Sequence, residues 1–527
     1  MSETTSLPEP PSSPRSGGRR TAVVAGITAG TLAIVGVGAF AAFSFLNGGA
    51  AAEQALPAES TLAVMSLDLD PSAGQKIEAF KTLQKFPALK KELGLGSGDD
   101  LRRMFFDDVL DEGACKKLSY DADIKPWIGD NVAIAAASFE KGKVSPLVAL
   151  AITDQDKAAR GLDALLECSD AKDEAGYALQ DDFVLVSDSR AHAEKAVQQA
   201  ATRPLSDDPA YQDWTDKVGD RGIVNLYVAK RAGNLLADNL GGFGPLGVSG
   251  NEGDPNAAAR KLAADFRGAA GTLRFADGGA ELHVVGGLTD DAVNDDRTVG
   301  DVVGGLPGDT AAVLGFTPPK DWAETMTSQL DDLGMFFGGE DGIRGLIEDQ
   351  LGLNLPGDLQ ALLGDGMALS LRGTPPADLT AVDSPEEVPA GLTLAGDPDA
   401  ITGVISKIEQ KTGTTLEDAG VTVAKGSDRV ALAFDAGYAK DLLGDGDLGA
   451  DATYQKAVPD ADKATVVLYV DLNSKWRQAI ADTLTDSTEE LVTKQEFLTN
   501  TEALEAFGVS SWHDGADSHL LVELTTD

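Results

Sequence analysis

LPAESTLAVMSLDLDPSAGQK, Leu56 to Lys76, and LPGDTAAVLGFTPPKDWAETM, Leu306 to Met326, decide the fold, because each opens a copy of the same series of landmarks. DIKPWIGDNVAIA from Asp123 is matched by DLQALLGDGMALS from Asp358. PLVALAITDQD from Pro146 is matched by PAGLTLAGDPD from Pro389. DPAYQ, Asp208 to Gln212, returns as DATYQ, Asp451 to Gln455, and Leu226-Tyr227-Val228 returns as Leu468-Tyr469-Val470. FADGGAELHVVGGLTD from Phe275 is matched by WHDGADSHLLVELTTD from Trp512. The six pairs keep their order, and their separations stay between 235 residues (Asp123 to Asp358) and 250 (Leu56 to Leu306). A period that long is not a solenoid repeat; it predicts two tandem homologous domains, 55–290 and 305–527, joined by a linker over 291–304.

Each unit reads as α+β. LAVMSLDL alternates with period two, as a half-buried strand does, and Asp70-Pro71 is placed to cap a helix. VAIAAASF and LVALAIT flank KGKVSP, a hairpin signal; helices are expected over Asp156–Glu167 and His192–Thr202, with FVLVSD a strand between them. GTLRF and AELHVVGGL close around Asp277-Gly278-Gly279. Consecutive hairpins predict a largely antiparallel sheet in each unit with helices on one face.

Ahead of the repeat lies Thr21 to Leu46, 26 residues without a charge, following Arg15, Arg19 and Arg20. About 20 apolar residues span a hydrocarbon core of about 30 Å. The positive flank predicts a single-pass helix with residues 1–20 cytoplasmic and 47–527 outside, residues 47–54 forming a linker. A cleaved signal peptide is the alternative, with Ala50-Ala51-Ala52 as its cleavage site. Residues 1–20, rich in Pro, Ser and Gly, cannot form a core.

The chain carries a formal charge of −42. Residues 1–46 contribute +1, which leaves −43 outside. Such a surface repels nucleic acid and anionic headgroups. Cys115 and Cys168 are the chain's two cysteines. In an oxidising compartment they are expected to bond to each other, the alternative being two free buried thiols.

The opening LPAESTLAVMSLDLDPSAGQK followed by KPWIGD resembles the actinobacterial domain-of-unknown-function family 3352, over nearly the whole outer part. The resemblance implies a membrane anchor and an envelope location; it supplies no activity and no catalytic residues. The second unit departs from it, with FTPPKDWAETM in place of DLDPSAGQK and no cysteine.

No local pattern announces catalysis, a cofactor or a metal. His192, His283, His513 and His519 have no ligand spacing. Asp445, Asp447 and Asp451 lack the Gly and Glu of a calcium loop. Gly242, Gly244 and Gly247 follow a helix rather than a strand, so they do not cradle phosphate. Asp68 and Asp70 read as a strand end and a helix cap. What the first unit alone possesses is the loop 241–256, which displays Phe243, Leu246 and Val248 as candidate contacts for a ligand or partner. The expectation is a non-enzymatic envelope module binding a protein, a polymer or an apolar molecule, its working surface between the units and under that loop. The alternative is an extracytoplasmic hydrolase with no local signature.

Overall fold

The structure is a computed structural model, and it describes residues 52–68, 73–86, 115, 117–168, 174–233, 264–287, 297–320, 322–337, 342–376, 387–483 and 494–527. Thr21–Leu46 and the 241–256 loop, with Phe243, Leu246 and Val248, lie outside these residues, as does the Asp70-Pro71 cap. Among the described residues no helix is long and apolar enough to cross a membrane.

Among the described residues sixteen strands form one antiparallel sheet. They are β1 Thr61–Asp68, β2 Ile128–Ala137, β3 Ser145–Ile152, β4 Gly176–Gln180, β5 Phe183–Ser187, β6 Val224–Ala229, β7 Gly268–Ala276 and β8 Gly279–Gly287. They continue with β9 Thr310–Phe316, β10 Gly366–Arg372, β11 Ala390–Ala395, β12 Thr422–Lys425, β13 Arg429–Ala433, β14 Val466–Asp471, β15 Leu504–Asp514 and β16 Asp517–Thr526. The sheet runs β12-β13-β11-β10-β9-β14-β15-β16 and then β8-β7-β6-β1-β2-β3-β5-β4. Read outward from the middle, the second list is the first with eight subtracted from every label. The halves meet at β8 and β16, where His283 lies directly opposite Leu521. Two separate sheets were the expectation; a single one results because each half leaves a free strand edge that the other satisfies.

Register refines the sequence matches. Val64 stands opposite Tyr227 and Ala135, and Val313 stands opposite Tyr469 and Ser370. The Tyr227–Tyr469 match is therefore in register, and counting back along β2 and β10 aligns Gly129-Asp130 with Gly364-Asp365. Two matches slip by one residue. Tyr227 faces Ala270 where Tyr469 faces Gly508, so Phe275 corresponds to His513 rather than Trp512. Likewise Pro146 corresponds to Ala390, because Ala135 faces Leu147 where Ser370 faces Gly391. The slip matters because one residue exchanges the faces of a strand. The extra residue in LPAEST over LPGDT is absorbed before β1: Thr61 Oγ1 donates to Pro57 O (2.7 Å), and Thr310 Oγ1 donates to Pro307 O (2.6 Å), one residue closer in sequence.

Helices lie on both faces, not one. One face is sealed by Arg190–Thr202 and Pro209–Lys217 in the first half, and by Ala436–Asp441 and Ala452–Ala457 in the second. The stretches read as linkers enter these cores: Ala52 and Glu53 are buried beside β2 and β3, Val302 and Val303 beside β9 and β10. On the opposite face, Gln155–Cys168 covers the strands around Val132, Leu150 and Val184, and Pro398–Thr412 covers those around Leu394 and Val430. Both faces of the outer strands are apolar, so both need cover.

Candidate functional site

The opposite face holds the most continuous chemical feature of the molecule. One register row crosses all sixteen strands. In the second half it reads Val423, Leu432, Leu392, Leu369, Leu314, Leu468, Val509 and Val522. Across the seam it continues through Leu282, Leu273, Val224, Leu67, Val132, Leu150, Val184 and Leu179. Every position is Leu or Val. The adjacent row on the same face holds Met367, Phe316, Val466, Ser511, Leu520 and Val284 over the middle strands. A third holds Leu371, Ala312, Val470, Phe507, Leu524 and Ala280. Ser511 Oγ is turned to His519 O (2.9 Å), so it offers the field no free hydroxyl.

Among the described residues, helices bury the ends of these rows and leave the middle open. Leu369 and Leu314 are each 48% exposed, Leu520 39% and Phe316 36%. Leu468, Val509, Val522 and Leu282 between them are half-buried. The helix Ala73–Gln84 closes one end by packing Ala79 on Ile223 and Phe275.

The other candidates yield less. Ser145, His192 and Asp188 come together, at 3.3 Å (Ser145 Oγ) and 2.6 Å (Asp188 Oδ1), but both contacts are to His192 Nδ1. A hydrolytic relay needs the carboxylate on one ring nitrogen and the nucleophile on the other. Asp445, Asp447 and Asp451 form no ligand set: Asp447 accepts from Gly308 N (2.9 Å), Asp451 caps a helix by accepting from Tyr454 N (3.0 Å), and among the described residues no group suited to a metal is present. A shallow cavity of about 600 Å³ has Lys195, Arg203 and Arg231 on its walls, yet each is engaged. Lys195 donates to Phe139 O, Arg203 pairs with Asp208, and Arg231 donates to Ala58 O and Thr61 O.

At the seam, on the sealed face, Glu281 lies opposite Glu523 and pairs with Arg274. Burial, then the neighbouring Glu281, pushes the Glu523 carboxyl up to about 8. His283 and His519 share a contact of 3.2 Å beside Trp512, and burial holds both imidazoles below their ordinary value. A second polar group belongs to the first half alone. Glu53 Oε1 accepts from Ser66 Oγ and from Arg221 Nη2 (2.8 Å), and Arg221 Nη1 donates to Tyr211 OH (3.1 Å). The second half replaces this with Val303 against Gly315, where a Cβ would come within 2.4 Å of the Val303 side chain.

Cys115 and Cys168 are bonded, their Cα atoms 5.0 Å apart. The bond ties the end of Gln155–Cys168 to the cluster of Tyr120, Ile124 and Trp127. Sequence reasoning found this pair and missed the Leu/Val row, which exists only once the register of sixteen strands is known.

Comparison with known proteins adds a family and little else. No curated protein matches. A solved structure titled "Structure of crystal form IV of TP0453" is similar at 10% identity over 43% of this chain and 77% of that one, but its TM-score of 0.20 carries no argument. The model of a family described as a protein of unknown function matches residues 22–395, from within the apolar stretch to the end of β11. Most of the chain is thus covered, and it belongs to that family, DUF3352.

Proposed function

We propose that this protein is a single-pass, membrane-anchored module of the cell envelope that binds an apolar ligand on the open face of its sheet and performs no catalysis. The observation that carries this reading is the exposure of Leu314 and Leu369 in the unbroken Leu/Val row and of Phe316 and Leu520 in the row beside it. Single exposed apolar side chains are ordinary; contiguous apolar patches on a protein surface are often functional. The surrounding charge, −42 over the chain, keeps the molecule soluble around that field and turns away anionic partners. The anchor is Thr21–Leu46, with the N-terminus cytoplasmic.

We also propose that the halves are tandem homologous domains. The identical strand order supports this. So do the edge-on pairs Tyr211–Tyr227 and Tyr454–Tyr469, both with ring centroids 5.1 Å apart.

The test is binding of a neutral environment-sensitive dye to the purified full chain. Leu314→Glu and Leu369→Glu should each weaken binding at least tenfold, since a buried Leu side chain contributes about 1.5–3 kcal/mol. Their melting temperatures should stay near that of the wild type, because both side chains are half in water already. Unchanged dye binding in both variants would refute the reading.

A further inference from the structure

We infer that the open face holds the acyl chains of individual membrane lipid molecules, laid along the strands. This rests on the apolar-ligand reading above and names the ligand. Dimensions come first. From Leu369 on β10 to Leu520 on β16 the exposed part spans five strands, about 19 Å at about 4.8 Å per strand. Along each strand three rows, two residues apart, give a depth of about 14 Å at about 3.4 Å per residue. One leaflet of a bilayer is about 15 Å deep, half of a core of about 30 Å. Chains of that length fit the field end to end, several abreast.

Chemistry excludes the other occupants. The field measures about 270 Å², against about 800 Å² per partner in a stable protein interface. A protein partner or a second copy of this chain would therefore be too weakly held. A protein surface also brings polar groups that need partners, about one hydrogen bond per 100–200 Å². The five strands have spent their backbone donors and acceptors on ladders along both sides. The face offers no ionisable side chain in its three rows. A hydrocarbon chain asks for neither. The lipid comes to the face rather than the face to the bilayer, because an outer part of charge −43 is repelled by anionic headgroups.

The full chain, in its own membranes, is given the photoreactive residue benzoylphenylalanine at Leu314 or, separately, at Leu520, and is irradiated. Mass spectrometry of the labelled peptides should show adducts of acyl-lipid mass at both positions. Val144, 42% exposed in the hairpin between β2 and β3, is the control and should give none. Adding Leu369→Glu should lower the adduct yield at Leu314 at least tenfold. Adducts with protein, chain-to-chain dimers, or no adducts at either position would overturn the assignment. The dye experiment separates the two levels. Dye binding without lipid adducts removes the lipid and leaves an apolar ligand; loss of both removes the site. If one substituted chain does not fold, the other position decides.

Discussion

Tyr454 lies edge-on to Tyr469 at 5.1 Å with its hydroxyl buried and unpartnered among the described residues. Its counterpart Tyr211 packs on Tyr227 in the same way, yet its hydroxyl accepts from Arg221. The pair is a matched experiment within one chain. Tyr211→Phe should cost about 1–2 kcal/mol, because Arg221 loses an acceptor. Tyr454→Phe should be neutral or stabilising by up to about 1 kcal/mol, because a buried hydroxyl without a partner disappears. Denaturant midpoints of the two variants, compared with wild type, check both signs.

The disulfide should contribute on the order of 4 kcal/mol in the chain-entropy model, since it closes a loop spanning 53 residues. Cys115→Ala with Cys168→Ala should lower the melting temperature by several degrees. Adding a reductant should do the same to wild type and nothing to the double variant.

Glu523 makes stability depend on pH in an unusual direction for a carboxyl. Its folded-state value, about 8, stands above the ordinary carboxylate range. The stabilisation is therefore complete below about pH 4.3, where the unfolded group is protonated, and is lost as pH rises through about 8. Arg274, Glu281 and Asp277 are the charged neighbours that set it. Glu523→Gln should abolish this part of the dependence. After allowance for its partial exposure, the variant should gain about 1–2 kcal/mol over wild type between pH 5 and pH 9. Melting curves across that range give the answer; parallel curves for the two proteins would contradict it.

Topology is testable directly. Protease added to intact spheroplasts should degrade the part of the chain after Leu46 and spare the tail before Thr21. Full protection of the outer part would place it on the other side of the membrane.

The strands were legible from the sequence because alternation and turn chemistry are local. Thr61–Asp68 and the hairpin at Asp277-Gly278 could be read directly, and the order of landmarks around Tyr227 and Tyr469 exposed the repetition. Three things could not be read. The join of β8 to β16 uses backbone N–H and C=O groups that every residue possesses, so no side chain signals it. The second layer of helices follows from Leu150 and Leu394 needing cover, which shows only when the sheet is assembled. The open row through Leu314 and Leu369 depends on fifteen strand pairings at once, and its members are ordinary Leu and Val residues taken singly. The loop with Phe243 and Leu246 stands out because only one unit has it; the open field, which lies on β10, β9, β14, β15 and β16, carries no such mark in the sequence.

The meeting of β8 with β16 around His283 and Leu521 has a consequence for assembly. The joint is of the self-complementary kind, in which each side offers the same edge to its double. Such a joint consumes the edges that make it and cannot propagate. Among the described residues, what remains at the far ends are β4, five residues long, and β12, four residues long and finished by Lys425, which is exposed. Short borders, one of them tipped by a charge, are poor templates for further strands. A ribbon of sixteen strands, which in other circumstances would grow into a fibre, is therefore a finite object: its length was settled once, at the middle, and its ends are blunt.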